Sequence, residues 1–149
     1  HGFSPSGEHT YFEGGSRLCT FELDGIKAGM IICYDMRFVE LVRTLALDGI
    51  QILFIPAQWP HPRLKHWVIL AMARAIENQM FVAAVNGVGT ANDLKFCGNS
   101  MLIDPWGEIL AHAGEDEEVV MAEADFSIVK DIRERINVFR DRKTEFYKL

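Results

Sequence analysis

Four consecutive apolar residues, Ile52-Leu53-Phe54-Ile55, constrain this chain more than any other stretch. An unbroken apolar run of that length reads as a strand buried on both faces, inside a sheet that other layers cover. The residues before it supply one cover. Phe38, Leu41, Val42, Leu45 and Ala46 recur at helical spacing up to Gly49, which predicts an amphipathic helix with a glycine stop. Ahead of the helix, residues 18–23 and 26–33 read as two strands joined at Asp24-Gly25, a pair that tolerates the positive φ of a tight hairpin. Strand, helix and strand in succession predict a mixed α/β layered domain.

The rest of the chain extends the pattern. Residues 56–62 are rich in Pro and Trp and break regularity, while 63–79 has helix-forming composition with Trp67, Leu70, Met72, Ala73 and Ile76 available to pack. A β-rich run at 81–85 follows, then Gly87-Val88-Gly89 and a polar loop. Short strands are expected at 100–103 and 108–111 around the turn Asp104-Pro105-Trp106-Gly107, and another at 119–123. Asp125 can cap a last helix from 126 to about 135, ahead of a charged tail. Residues 1–17, with Gly2, Pro5, Gly7, Gly14 and Gly15 among polar neighbours, read as an entry loop. At 149 residues and 49% hydrophobic side chains, residues 1–149 suit one domain and are too few for two large ones.

Charge and cysteine usage narrow the function classes. The net charge of −6, from 21 acidic and 15 basic residues, comes without a Lys/Arg cluster to neutralise phosphates, which argues against nucleic acid as a partner. No apolar run approaches the ~20 residues of a membrane span. Cys19, Cys33 and Cys97 are an odd set without C-x-x-C spacing, so neither a disulfide framework nor a zinc knuckle is expected, and a reducing cytoplasm fits. His61 and His66 stand five apart, off the i, i+4 spacing of helical metal ligands, so no metal is expected. Cys19 and Cys97 read as structural. His1 is not an initiator methionine and no secretory or transit pattern precedes the first strand, which suggests an upstream segment.

Cys33 closes an apolar stretch about four residues before the helix. A strand-to-helix turn presents a side chain at the edge of a sheet, where a nucleophile is exposed. A helix N-terminus nearby favours the thiolate, because unpaired N–H groups and the helix dipole stabilise negative charge. A buried cysteine acting as a small hydrophobe fits the same position and is the commoner case. Position alone leaves both readings open.

The wording around Cys33 separates them. Met30-Ile31-Ile32-Cys33-Tyr34-Asp35-Met36-Arg37-Phe38, Pro56-Ala57-Gln58-Trp59-Pro60, His66-Trp67, Ala73-Arg74-Ala75-Ile76-Glu77-Asn78-Gln79, Gly98-Asn99-Ser100 and Asp104-Pro105-Trp106-Gly107 follow one another in this order. The series resembles the nitrilase superfamily of carbon-nitrogen hydrolases over essentially the whole chain, most closely its ω-amidase and Nit-type amidase branches. That resemblance implies an α-β-β-α sandwich, of which this chain is the C-terminal part, and a Glu-Lys-Cys triad with a second glutamate nearby. Cys33 matches the nucleophile, and Glu8 in Ser6-Gly7-Glu8-His9 matches the second glutamate. His1 resembles the histidine of the family's Lys-x-His motif, so the triad lysine is expected two positions before it and the triad glutamate further upstream, both outside residues 1–149.

The implied activity is hydrolysis of a small amide, ω-amidase-like with a 2-oxo acid amide as the suggested substrate, through a cysteine thioester with release of ammonia. A thiol in that role needs a base for its proton and a donor for the leaving ammonia. The tetrahedral intermediate needs oxyanion donors, which the resemblance assigns to the lysine and to the backbone N–H of Tyr34. N-carbamoyl amide or nitrile hydrolysis uses the same cysteine. A chain whose triad lysine and glutamate are nowhere supplied would serve only as an assembly or binding module. No cofactor is implied, and the resemblance implies a homodimer or larger homo-oligomer built through helices of the sandwich.

Several side chains keep two readings. Glu8 either faces the thiol, where it would bias its proton affinity, or is a solvated loop acid. Arg37 either orients a substrate carboxylate by a bidentate contact or holds the turn in an ion pair with Asp35. Gln58 and Trp59 follow a buried strand, where loops at strand ends form ligand crevices, and Trp59 is either a pocket wall or core. Asn86 either touches substrate or caps a loop. Arg74 and Glu77, three apart, suit a mutual ion pair.

Overall fold

The computed structural model describes residues 1–3 and 7–147. Pro5 and Ser6 of the expected entry loop lie outside them, as do the last two residues of the charged tail. Strands β1 (Cys19–Leu23) and β2 (Ile26–Met30) form an antiparallel hairpin with Leu23 opposite Ile26. Asp24 and Gly25 both take positive φ, 49° and 80°, as a two-residue turn matched to strand twist requires. A 3-10 turn at Cys33–Arg37 leads into α1 (Val39–Leu47), which ends just before left-handed Gly49. Strand β3 (Ile52–Ala57), a 3-10 turn at His61–Arg63, α2 (Leu64–Asn78) and β4 (Phe81–Asn86) follow. A small hairpin of β5 (Thr90–Ala91) and β6 (Leu94–Lys95) precedes β7 (Met101–Ile103), β8 (Ile109–His112) and α3 (Ser127–Arg135).

The six-stranded sheet runs β1-β2-β3-β4-β7-β8, with β2, β3 and β4 parallel and the outer pairs antiparallel. Two crossovers, each through a helix, connect the parallel strands and place α1 and α2 on one face. Leu53 and Ile55 of β3 pack there with Val82 and Ala84 of β4 against Val42 and Leu45 of α1 and Trp67, Ala71 and Ala75 of α2. Ile52 points the other way, with Ala28 and Phe81, onto Val129 of α3 and Phe126. The run that opened the sequence argument is therefore used on both faces, with only Phe54 left half-buried. Each fully buried side chain of this size contributes roughly 1.5–3 kcal/mol. One sheet and its helical layer make half of the four-layer arrangement expected. On the second face Phe21, Leu23, Met30 and Val85 remain exposed.

Three expectations need correction. Residues 119–123 form no strand: a strand exists only with a ladder partner, none of the described strands pairs with this segment, and Val119 and Met121 are 88% and 91% exposed. Strand β2 stops at Met30, short of residue 33. The polar loop after Gly89 contains the β5–β6 hairpin, turned at Asn92 and Asp93, which both have positive φ. At the last helix the Ser127 hydroxyl, and after it the Ser127 N–H that the Asp125 carboxylate accepts at 2.9 Å, hold that carboxyl below the usual carboxylate range. Gln79, left-handed at the end of α2, reaches across to the Ile136 carbonyl at 2.8 Å and so ties α3 to the helical layer.

Candidate active site

The site opens where β2 leaves the sheet. The β2–β3 ladder ends with Met30 opposite Phe54, and the Ile31 N–H still donates to the Phe54 carbonyl at 3.1 Å. Along a strand, alternate residues direct their backbone groups to the same neighbour. Pro56, two beyond Phe54, therefore turns its hydrogen-free nitrogen to the side that β2 has vacated, and no ladder bond is lost. Gln58 comes next on that side. Its N–H meets the Cys33 thiol, which has moved into the vacated position.

Cys33 begins the 3-10 turn with φ of 45°, in the left-handed region, where a residue with a Cβ costs about 1–3 kcal/mol. Neighbouring bonds hold that conformation. The Ile32 N–H donates to Asp35 Oδ2 at 3.1 Å, and the Asp35 N–H returns to the Ile32 carbonyl at 2.9 Å. Asp35 Oδ1 lies 2.6 Å from the His1 backbone nitrogen and 2.8 Å from its Nδ1, and the His1 ring stacks on Phe38 at 3.7 Å. From beneath, Arg74 of α2 donates Nε to the Met36 carbonyl at 2.9 Å while Nη1 pairs with Glu77 at 2.7 Å. The expected Arg74–Glu77 pair is present, and one end of it grips the turn that carries Cys33.

Burial pushes the Cys33 thiol above the ordinary thiol range. The Gln58 N–H opposes this, the Glu8 carboxylate adds to it, and the Tyr34 N–H and the Arg63 charge oppose it further. The thiolate bias expected from a helix N-terminus is thus overturned. Alpha1 begins only at Val39, and desolvation of a half-buried sulfur outweighs the donors of the short turn.

All six residues singled out from the sequence, Glu8, Cys33, Tyr34, Arg37, Gln58 and Trp59, line one cavity of about 580 Å³ at the carboxyl ends of the parallel strands. Glu8 Oε2 accepts the Phe3 N–H at 2.9 Å. Arg37 does not pair with Asp35. Its guanidinium lies over the Trp59 ring at 4.8 Å, with Nη2 3.4 Å from His66 Nδ1. Trp59 belongs chiefly to the core: it is 3% exposed, packs on Trp67 at 5.7 Å and donates Nε1 to the Arg63 carbonyl at 2.8 Å. It lines the cavity all the same, beneath the Arg37 guanidinium.

Asn86 stands apart from the cavity lining and clamps two loops. Its Oδ1 accepts the Trp59 N–H at 2.6 Å, while Nδ2 faces the Trp59 carbonyl, Cys97 Sγ and, at 2.8 Å, the Gly98 carbonyl. Sequence reasoning missed Phe3, Arg63 and the β5–β6 hairpin, whose Ala91, Asn92 and Leu94 form a wall. A basic residue at the start of a helix carries no sign that it points inward. The hairpin did leave a trace, in the Asn92-Asp93 pair. Of the two cysteines read as structural, Cys97 is buried and Cys19 is exposed on β1; all three cysteines are free. Among the described residues no helix is long and apolar enough to cross a membrane, and no three His, Cys, Asp or Glu side chains converge as a metal site.

Comparison with known proteins agrees with this architecture. Residues 4–134 match the carbon-nitrogen hydrolase family. The chain is 48% identical over 147 residues to the 2-oxoglutaramate amidase of Bacillus subtilis (strain 168), covering 99% of this chain and 57% of that protein. It is 36% identical over 138 residues to the omega-amidase NIT2 of Homo sapiens, covering 89% and 49%. The carbon-nitrogen hydrolase structure from Helicobacter pylori G27 superposes with a TM-score of 0.89 at 28% identity, covering 94% of this chain and 55% of that one. The chain thus spans roughly half the length of the relatives it matches. A motif series spread over the whole sequence, the α/β fold that it builds and these matches agree: the chain belongs to the carbon-nitrogen hydrolase family.

Proposed function

We propose that this protein hydrolyses the carbon–nitrogen bond of a small amide, with Cys33 as the nucleophile. One observation carries the reading. A half-buried cysteine with a strained backbone shares a cavity with a carboxylate, and two backbone N–H groups, of Gln58 and Tyr34, meet its sulfur. The sulfur attacks the amide carbonyl carbon, a C–S bond forms, and the carbonyl electron pair moves to oxygen. The Tyr34 N–H stabilises the oxyanion. The thiol proton passes to a carboxylate and then to the leaving nitrogen, so the C–N bond breaks and ammonia departs. Water then adds to the thioester, and collapse of the second intermediate releases a carboxylic acid and restores the thiol.

The family resemblance assigns the first proton transfer to a glutamate and a second oxyanion donor to a lysine, neither within residues 1–149. Glu8 has a supporting role. Burial chiefly keeps the proton on sulfur and the Glu8 charge adds to it, while its carboxylate can accept a hydrogen bond from the leaving ammonia or the entering water. Gln58 and Trp59 wall the substrate, and Arg37 orients it. Relatives named 2-oxoglutaramate amidase and omega-amidase support an ω-amide of a 2-oxo acid. Three free cysteines support a reducing cytoplasm, and exposed Ile69 and Ile76 on α2 support a homo-oligomer formed through the helical layer.

The test is intact-mass spectrometry after rapid quenching with a small amide, alongside an ammonia assay. An acyl adduct on Cys33 that is absent from Cys33→Ala is expected. Ammonia release that survives in Cys33→Ala, or no turnover of any amide, would overturn the reading.

A further inference from the structure

Two guanidinium groups share the cavity with the cysteine, and among the described residues neither has an anionic partner. Arg37 and Arg63 both line it, and among the described residues no carboxylate pairs with either. The one fully buried arginine among the described residues, Arg74, is instead paired, with Glu77 and the Met36 carbonyl. A guanidinium on an apolar wall costs free energy unless a counter-charge meets it when water leaves.

Arg63 is the more telling of the two, because its backbone is fixed while its charged end is free. Its carbonyl accepts Trp59 Nε1 at 2.8 Å and its N–H donates to the Pro60 carbonyl at 3.1 Å, which anchors it at the junction of the His61–Arg63 turn and α2. The guanidinium lies over the Phe3 ring, 5.5 Å from its centroid, and the Phe3 N–H donates to Glu8. A guanidinium resting on a ring keeps its edge N–H groups directed outward, ready for a planar, two-oxygen acceptor. Its charge is felt at Cys33, so it stands within electrostatic reach of the reacting end. Phe96 and Leu94 line the same cavity and can cover an aliphatic spacer.

We propose that Arg63 is a specificity-determining residue that binds a carboxylate at the non-reacting end of the amide, so that the cavity selects anionic amides over neutral amides of the same length. This rests on the proposed ω-amide substrate, whose 2-oxo acid end carries a carboxylate, and adds to it the residue that reads that charge.

The experiment compares kcat/KM for succinamate and butyramide, equal in chain length and different in terminal charge, using the full-length enzyme. The wild type prefers succinamate. Arg63→Gln lowers that preference by about 30- to 100-fold, chiefly through KM for succinamate. Arg63→Lys, which keeps the charge and loses the fork, retains part of it. Lys65→Gln removes the same charge from an exposed site and leaves the preference intact. Equal losses on both amides would assign Arg63 to holding Phe3, and an unchanged preference in Arg63→Gln would assign selection to Arg37; either overturns the proposal. Turnover of neither amide would overturn this inference, and the amide reading falls with it if no other small amide is turned over. A readout that needs neither turnover nor a variant is protection: succinate slows alkylation of wild-type Cys33 by iodoacetamide and butyrate at equal concentration does not. Failure of succinate to protect also overturns the proposal.

Discussion

Replacing Arg74 by Met removes a guanidinium while keeping most of the apolar stem that packs in the helical layer. Arg74 is 3% exposed, and its Nε bond to the Met36 carbonyl is a charge-assisted hydrogen bond in a buried setting. Such a bond contributes about 1.5–3 kcal/mol, and leaving the carbonyl without a donor adds about 1 kcal/mol or more. The Glu77 partner counts for less. Its side chain is 36% exposed and also faces Asn78 Nδ2, so water and Asn78 replace much of what Arg74 supplied and the pair contributes about 0–1 kcal/mol. The expected loss is about 3–4 kcal/mol, a large part of the ~5–15 kcal/mol that holds a typical domain folded. Urea unfolding followed by fluorescence should show a lowered midpoint with an unchanged slope, since Trp59 and Trp67 report on the adjoining core. Glu77→Gln should lose less than about 1 kcal/mol, and Arg74→Lys should fall between, because one ammonium cannot reach both acceptors. If Arg74→Met and Glu77→Gln prove equally mild, the Met36 carbonyl is not held by Arg74 and the account of how α2 backs the nucleophile turn is wrong.

Two further outcomes follow from the geometry. Because burial raises the Cys33 pKa, iodoacetamide alkylation should rise with pH along a curve whose midpoint lies above the ~8.5 of a free thiol. Glu8→Gln removes the charge that adds to burial and should move that curve to lower pH. The linked stability has a definite sign: a raised folded-state pKa stabilises the fold below the unfolded value, and that contribution disappears as pH climbs through the folded one. A midpoint below that of free cysteine contradicts the assignment. Gly98 combines φ of 55° with a position where an added Cβ would sit on the Gly114 carbonyl oxygen and 3.0 Å from Glu115 Cα. Gly98→Ala should therefore cost more than about 2 kcal/mol, measured as a fall in the thermal midpoint, and a neutral result would remove the close approach of these loops.

What could be read from the sequence is what depends on near neighbours. The Asp24-Gly25 turn, the Gly49 stop and the doubly buried β3 each follow from residues a few positions apart, and each stands where expected. The strand at 119–123 failed for the converse reason: composition sets a preference for extended backbone, but a strand also needs a ladder partner, which no local pattern supplies. The β5–β6 hairpin has strands of two residues, too short to show any periodicity. The thiolate expectation at Cys33 failed because desolvation is the sum of everything packed around the sulfur. Glu8 was selected by motif resemblance and Gln58 by its place after a buried strand, and no spacing rule could have brought the two together beside Cys33.

The arginines show where the limit lies. Arg63 and Arg74 flank and occupy the same helix, and a basic residue on a helix reads by default as solvated. One faces the cavity and the other is buried against the Met36 carbonyl, and what decides between these fates is a ring or a carbonyl arriving from another element. Pro56 marks the opposite extreme. A proline inside a buried parallel strand would forfeit a ladder bond unless the neighbouring strand had already ended on its hydrogen-free side. Its presence in Phe54-Ile55-Pro56-Ala57-Gln58 therefore already implied that β2 departs there. It implied as well that the next N–H on that side, from Gln58, would face whatever replaces the strand, and that replacement is the Cys33 thiol.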